Sequence, residues 1–304
     1  VFKLEGLKVP KCRLCGEQEK HQTIRAPSVY GGTSKHKFWE CACCDAIYLD
    51  PILSEEEEKL FYLKEFEGFM SSRVGDHRDW TNADLHKSTN QDQVARRLPY
   101  MEQYLSSKTD LLEIGCSSGF MLDAFRSKGV NCVGVEPSGE FSEYLVQNGH
   151  CVHSSIDDIE DQTFDVICHF FVFEHIGDPC LFLEKSMKML NEGGVIIAEI
   201  PCANDPLTSV YKIDAFEKFY WSIAHHYYYT KTSMMYLMNK LAYKYEIVPE
   251  QRYDLSNHLV WMNEGRPGGQ KQYIDTFGEK LNDEYKQRMR DNWTCDTMFL
   301  YIWK

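Results

Sequence analysis

Leu111-Leu112-Glu113-Ile114-Gly115-Cys116-Ser117-Ser118-Gly119-Phe120 is the stretch from which the fold is read. Two leucines, an acid and an isoleucine read as the end of a buried parallel strand. Gly115 and Gly119 then turn the chain into a helix expected over Phe120 to Lys128, whose first residues offer free backbone N–H groups. A second strand, Asn131-Cys132-Val133-Gly134-Val135, runs into Glu136. A glycine turn after one strand and a carboxylate after the next make the nucleotide-binding half of a doubly wound α/β sheet. The turn lets a ligand approach the backbone, and the carboxylate can accept hydrogen bonds from two ribose hydroxyls.

A dinucleotide site needs G-x-G-x-x-G, so that a pyrophosphate can rest on the helix N-terminus. Here the pattern is Glu113-x-Gly115-x-Ser117-x-Gly119, with an acid leading and no third glycine at that spacing. That spacing disfavours a nicotinamide dehydrogenase. Downstream, helix and strand keep alternating. Ser138 to Asn148 reads as a helix closed by Gly149, Cys151-Val152-His153 as a third strand, and Phe164-Asp165-Val166-Ile167-Cys168-His169 as a fourth. Asp178-Pro179 opens a helix through Leu190, which Asn191-Glu192-Gly193-Gly194 stops, and Val195 to Ile200 is the fifth strand. Tyr243 to Val248 and Cys295 to Trp303 look like two more.

Upstream of the glycine turn, Cys12-x-x-Cys15 and Cys41-x-x-Cys44 form two knuckles. Each C-x-x-C presents two thiolates from one tight turn, and two such pairs complete a tetrahedral zinc site. Gly16 and Asp45 follow the knuckles and suit sharp turns, while Lys37 to Glu40 and Ala46 to Leu49 are strand-like, as in a zinc ribbon. Four thiolates leave no open coordination position for water, so this zinc is expected to be structural. Cys43 is a spare thiol, and His21 and His36 are less well placed. After Asp50-Pro51, Ser54-Glu55-Glu56-Glu57 begins a capped helix. Residues 64 to 92 read as polar and irregular, with Phe66, Phe69, Met70 and Trp80 interspersed, and are expected to form a lid. A helix from about Gln91 to Leu105, which Pro99 interrupts or delimits, leads into the first strand.

The chain has 304 residues and a net charge of −13, which argues against general affinity for nucleic acid or anionic membranes. No apolar run reaches the length of a membrane span and no signal peptide opens the sequence. Twelve scattered cysteines suit a reducing compartment, so a cytoplasmic setting is expected. The expected organisation is a zinc-ribbon module over 1–52, a helical linker or lid over 53–94, a cofactor-binding core over 95–206, and substrate-binding elements with the last two strands over 207–304.

The motif Glu113-x-Gly115-x-Ser117-x-Gly119 followed by Glu136 resembles that of class I methyltransferases that use S-adenosylmethionine. The resemblance covers residues from about 95 to 200. It implies a Rossmann-like, seven-stranded core with the last strand inserted antiparallel. It also implies that Glu113, Gly115, Cys116, Ser117 and Gly119 hold the amino-acid end of the cofactor and that Glu136, with Pro137, holds the ribose. Ser155 and Ile156 fall where the family contacts adenine, and Phe170 and Phe171 where aromatics pack beside the adenosine or the methyl.

The ribbon in front of such a core resembles bacterial sugar methyltransferases, including the C-methyltransferases of deoxysugar pathways. Asn204, Tyr229, Asn257 and His258 lie in segments similar to that family's substrate side. There a Glu-His pair implicated in proton abstraction precedes an aromatic-rich stretch; here Ala224 and His225 stand in those positions, ahead of Tyr227-Tyr228-Tyr229. His225 is therefore the first candidate for general base, with His226 its neighbouring rival and His175, in Phe173-Glu174-His175-Ile176, a third. The resemblance implies a nucleotide-linked sugar or surface-glycan precursor as acceptor, with S-adenosylmethionine and structural zinc as cofactors. Two other readings compete: a macromolecular methyltransferase whose ribbon grips RNA or protein, and a non-catalytic cofactor-binding module. Oligomeric state is left open.

Overall fold

Asp110–Ile114 lies inside a seven-stranded sheet in the computed structural model, which describes residues 9–74 and 82–304. Among the described residues the strands are β1 (Gln22–Ala26), β2 (Lys37–Cys41), β3 (Ile47–Asp50), β4 (Asp110–Ile114), β5 (Asn131–Val135), β6 (Cys151–His153), β7 (Phe164–Phe170), β8 (Leu190–Pro201), β9 (Tyr227–Tyr228), β10 (Lys244–Glu250) and β11 (Thr297–Trp303). The large sheet runs β10-β11-β8-β7-β4-β5-β6. Strand β4 pairs in parallel on both sides, Leu112 against Val133 of β5 and against Ile167 of β7. Its edges are thus both paired, and because the faces of such a parallel sheet are covered by helices, its residues are buried and read as a largely apolar run. The doubly wound α/β class expected from the sequence is the one observed.

The chain divides into two compact units. One comprises Leu53–Phe173, Asp178–Ala198 and Tyr301–Lys304, so the segment expected as a separate linker groups with the cofactor core. Here the helix Phe120–Ser127 buries Phe120, Met121, Leu122 and Phe125, and Gly139–Gln147 buries Phe141 and Leu145. Each such side chain removed from water contributes about 1.5–3 kcal/mol. Gly119 takes φ 76°, and a Cβ there would stand 2.4 Å from Leu145 Cδ2, so only glycine lets the turn close on the helix behind it.

Three sequence expectations in this unit are corrected. Residues 64 to 92, read as irregular, are helical where described, Phe66–Val74 and Ala83–Thr89 following the expected capped helix Glu55–Leu60 and a π-turn Phe61–Glu65. Their aromatics pack on that turn, Phe61 lying 5.2 Å from Phe69 and 5.9 Å from Phe66; Trp80 lies outside the described residues. The helix expected to Leu105 stops at Arg97 and continues as 3-10 turns, the first over Leu98–Tyr100 around Pro99, which lacks the N–H a longer helix needs. Strand β8 starts at Leu190 rather than Val195. The supposed stop signal is drawn into it by Asn191 Nδ2 donating to Asp165 Oδ1 (2.8 Å) and by Lys304 N donating to the Gly194 carbonyl (3.2 Å).

The other unit comprises Val1–Ile52, Glu174–Gly177 and Glu199–Leu300. Its four-stranded sheet runs β1-β2-β3-β9. Strands β1 and β9 were not foreseen, and β9 pairs antiparallel with β3, Ile47 opposite Tyr228 and Tyr48 opposite Tyr227. The sheet of the N-terminal segment is therefore completed by residues far along the chain. Tyr228 packs between Phe38 (5.1 Å) and Trp221 (4.7 Å), and its hydroxyl donates to the Tyr220 carbonyl. The aromatic density after residue 215 is in large part the core of this unit.

Candidate active site and metal centre

Glu136 follows β5 directly, and its carboxylate is aimed by two backbone donors. Ser117 N donates to Oε2 (2.6 Å) and Ser138 N to Oε1 (2.9 Å). Ser117 itself takes φ 44°, the left-handed region that turns its N–H towards that acid. Glu113 is fully buried in β4, and its Oε2 has no hydrogen-bond partner among the described residues. Burial pushes its carboxyl up to about 8, against the opposing pull of Arg97 and with Glu136 adding to the rise. A buried carboxyl with an unused oxygen at the carboxyl end of a central strand fits a cationic amine. Ser155 caps the turn Ile156–Asp158 after β6, its N–H donating to Asp158 Oδ2 (2.9 Å). Phe170 ends β7, Phe171 takes φ 58°, and Pro137 is exposed. Cys116 is buried among Leu122 and Leu145, which pushes its thiol up and leaves it a packing group.

Sequence reasoning missed two residues here. The Arg97 guanidinium is buried, 4.4 Å from the Phe170 ring centre and 5.5 Å from that of Phe171. His86 Nδ1 lies 2.8 Å from Ser118 Oγ inside the glycine turn. Both sit on helices that the sequence presents as polar, and only their proximity to the strand could have drawn attention to them.

Glu174, His175 and His225 bring an oxygen and two ring nitrogens within 4.8 Å of one another. His175 follows β7 on the short turn Phe173–His175, and its Nδ1 lies 2.7 Å from the Ala224 carbonyl. A carbonyl only accepts, so Nδ1 carries a proton, and Nε2 lies 4.0 Å from Glu174 Oε1. His225 is buried with its ring 4.8 Å from that of Tyr228. The third candidate, His226, has Nδ1 3.1 Å from the Arg13 guanidinium, and its N–H donates to the Glu174 carbonyl (2.8 Å). Such an arrangement can accept a proton, and its carboxylate and two imidazoles are also ligand types for a divalent cation.

Cys12, Cys15, Cys41 and Cys44 converge as the knuckle spacing requires. Cys12 Sγ lies 3.7 Å from Cys44 Sγ, and Cys15 Sγ 3.7 Å from Cys41 Sγ. Tetrahedral thiolates about 2.3 Å from zinc stand about 3.75 Å apart, so the donor set has the size of a zinc site, whereas a disulfide needs about 2.05 Å. Cys43 is exposed and outside the group, and His36 is engaged with Thr33 N (2.9 Å).

A family profile described as "Methyltransferase domain" matches residues 86–246, more than half of the chain. The chain belongs to this methyltransferase family. S-adenosylmethionine is its methyl donor. The methyltransferase is 34% identical over 96 residues to a ubiquinone biosynthesis O-methyltransferase of Nitrobacter winogradskyi, covering 29% of this chain and 37% of that protein. A protein of the same name from Coxiella burnetii is 27% identical over 108 residues, 32% of this chain and 46% of that one. The chain thus spans less than half the length of these curated relatives. Among solved structures, a SAM-dependent methyltransferase from Archaeoglobus fulgidus is 15% identical, with a TM-score of 0.47 over 70% of this chain and 94% of that one.

On the expected substrate side of the methyltransferase, the named residues are held by the protein itself. Tyr229 is fully buried and stacked on Tyr227 at 5.5 Å, and the Asn204 carbonyl accepts from Ser209 Oγ (2.9 Å). In the helix Leu255–Glu264, Asn257 Nδ2 donates to the Gly268 carbonyl (2.7 Å). There His258 Nδ1 lies 2.5 Å from the Tyr285 hydroxyl, which is 3.0 Å from that of Tyr211. Burial pulls His258 down to about 4, which keeps it neutral near pH 7. No helix among the described residues is long and apolar enough to cross a membrane.

Proposed function

We propose that this methyltransferase acts on a small-molecule acceptor, a nucleotide-linked sugar or surface-glycan precursor, with a histidine of the Glu174–His175–His225 cluster as general base. The observation that carries this reading is the cluster itself, three proton-accepting groups within 4.8 Å of one another. In the deoxysugar C-methyltransferases that the sequence resembles, a glutamate stands directly before the histidine. Here Ala224 leaves that position empty, and Glu174 supplies a carboxylate beside His175 instead.

S-adenosylmethionine supplies an electrophilic methyl group on a sulfonium. Towards it, Glu136 would accept from the ribose hydroxyls, Glu113 and the Gly115 turn would receive the ammonium, and Arg97 would pair with the carboxylate. Ser155, Ile156, Phe170 and Phe171 would line the adenosine. His225 would take the acceptor's proton as its oxygen or carbon attacks, with His175 and Glu174 accepting and holding that charge. Alignment can lower the barrier by up to about 7–11 kcal/mol, and a placed base adds about 10²–10⁴-fold. The four cysteines would hold structural zinc in a cytoplasmic protein. The net charge of −13 speaks against an RNA acceptor.

A second reading rests on the relatives named for ubiquinone biosynthesis, namely O-methylation of an aromatic hydroxyl. Methyl transfer to a panel of nucleotide-linked sugars, with a catechol included as aromatic probe, separates the two. Turnover of a sugar that His225→Asn abolishes supports the first reading; turnover of the catechol alone sinks it.

A further inference from the structure

Arg13 stands between Cys12 and Cys15, on the turn that Gly16 N closes onto the Cys12 carbonyl (2.9 Å). Its backbone is therefore held in the first cysteine turn, while its side chain is spent elsewhere. Arg13 Nη2 donates to the Gly177 carbonyl (3.2 Å) and to His226 Nδ1 (3.1 Å). Nη1 reaches the Leu49 carbonyl (3.4 Å), and the guanidinium lies over the Tyr227 ring at 5.0 Å. A guanidinium has donors only, so His226 Nδ1 must accept and the imidazole carries its proton on Nε2. The ring stands against Gly177, where an added Cβ would lie 3.4 Å from His226 Cε1. Backbone bonds surround this point: His226 N donates to the Glu174 carbonyl (2.8 Å), and Leu49 N donates to the His226 carbonyl (3.0 Å). The two segments that carry Glu174, His175 and His225 thus meet at His226 and Gly177, and the Arg13 side chain bonds to both.

We propose that Arg13 is a positioning residue for the histidine cluster, fixing the tautomer of His226 and the distance between the segments 174–177 and 225–227. The proposal rests on the reading that this cluster carries the base. Tetrahedral thiolate ligation does not require this arginine, since the sulfurs and the turn come from the cysteines and Gly16. What it adds is a rigid arm from the metal-bound turn to the residue beside His225. Misplacing a reacting group by about 1 Å can cost about a hundredfold in rate.

The test uses the full chain with zinc retained, in Arg13→Ala and Arg13→Gln, the latter keeping an uncharged NH2 donor group. Metal content, calorimetric binding of S-adenosylhomocysteine, imidazole ¹⁵N spectra and the kcat and KM for the best acceptor of the panel are read together. In Arg13→Ala, zinc stays at about one equivalent and the cofactor-product Kd stays within about twofold of wild type. His226 loses its single Nε2–H tautomer, and kcat falls by about ten- to a hundredfold at little-changed KM. Arg13→Gln restores the tautomer and part of the rate. Wild-type kcat in zinc-loaded Arg13→Ala, or an unchanged His226 tautomer, overturns the proposal. Should Arg13→Ala fail to fold, Arg13→Gln and Arg13→Lys are compared instead, and equal tautomer and rate in those two overturn it. Wild-type turnover by both His225→Asn and His175→Asn defeats the base reading, and this proposal with it; a dead His225→Asn beside a fully active Arg13→Ala defeats the proposal alone.

Discussion

The imidazoles of His175 and His225 meet edge to face with ring centres 4.7 Å apart, although 49 residues separate their bonded segments. Their partners differ in kind: His175 is locked into one tautomer by the Ala224 carbonyl, while His225 is buried against Tyr228. We predict that His225→Asn keeps cofactor binding and loses about 10²–10⁴-fold in transfer rate at saturating cofactor. If His226→Asn is dead while His225→Asn turns over normally, the base has been given to the wrong imidazole.

Glu136 should govern cofactor affinity. Its carboxylate is pre-aimed by Ser117 N and Ser138 N, and hydrogen bonds to a charged acceptor are worth about 1.5–3 kcal/mol each. Glu136→Ala is expected to weaken S-adenosylmethionine binding by at least about tenfold in calorimetry. Unchanged affinity in a folded Glu136→Ala would remove the ribose role.

Metal removal should unfold the N-terminal sheet. Without its ion, the site leaves Cys12, Cys15, Cys41 and Cys44 thiols within 4.8 Å of one another and two turns without a crosslink. Purified protein is expected to contain about one zinc, and a chelator should abolish near-ultraviolet signal from Trp39 and Tyr48, both buried in that sheet. Metal-free protein with an unchanged spectrum would rule out a structural zinc.

Stability should fall as pH rises. Burial pushes Glu113 up to about 8, opposed by Arg97, and pushes Asp205 up to about 8, with Asp296 adding and the Leu207 N–H and Arg252 opposing. The folded protein thus keeps protons that the unfolded chain gives up near the reference values of 4.5 and 3.8. Between those values and about 8 the native state binds more protons, so each group costs up to about 1.4 kcal/mol per pH unit on the way up, and the loss levels off above. Denaturant melts at several pH values should show this slope, shallower in Glu113→Gln and in Asp205→Asn. A stability that climbs from pH 5 to 8 would contradict it. A cofactor ammonium beside Glu113 should also displace its proton, which calorimetry in two buffers of different ionisation enthalpy would detect.

How far the sequence could be read follows from where each signal lives. Strands β4, β5, β7 and the core of β8 were legible because buried strands of such a sheet are rich in consecutive apolar residues. The cysteine knuckles were legible because their spacing is itself the ligand geometry. Strand β1, Gln22-Thr23-Ile24-Arg25-Ala26, has too little apolar character to stand out, and β9 is only Tyr227–Tyr228, defined by its partner β3. Arg97 and Arg13 look like surface charges in a sequence; their roles come from rings and carbonyls that only the fold brings near. The capped helix at Ser54 was legible from its cap and acids, whereas residues 64 to 92 read as irregular because their aromatics look scattered in sequence, although Phe66 and Phe69 both pack on Phe61.

The pairing of β3 with β9 sets an order of events during synthesis. Strand β3 ends at Asp50, but its partner residues Tyr227 and Tyr228 leave the ribosome some 180 residues later, roughly 10–40 s at about 5–20 residues per second. Through that interval both cysteine turns are already synthesised, whereas the outer edge of β3, Ile47-Tyr48-Leu49, presents unpaired backbone and apolar side chains. The nascent chain therefore carries a sticky edge through that whole interval. Early zinc loading can hold β2 and β3 together but cannot cover that edge, so overexpression at high synthesis rates should yield aggregates seeded through β3 even when zinc is abundant.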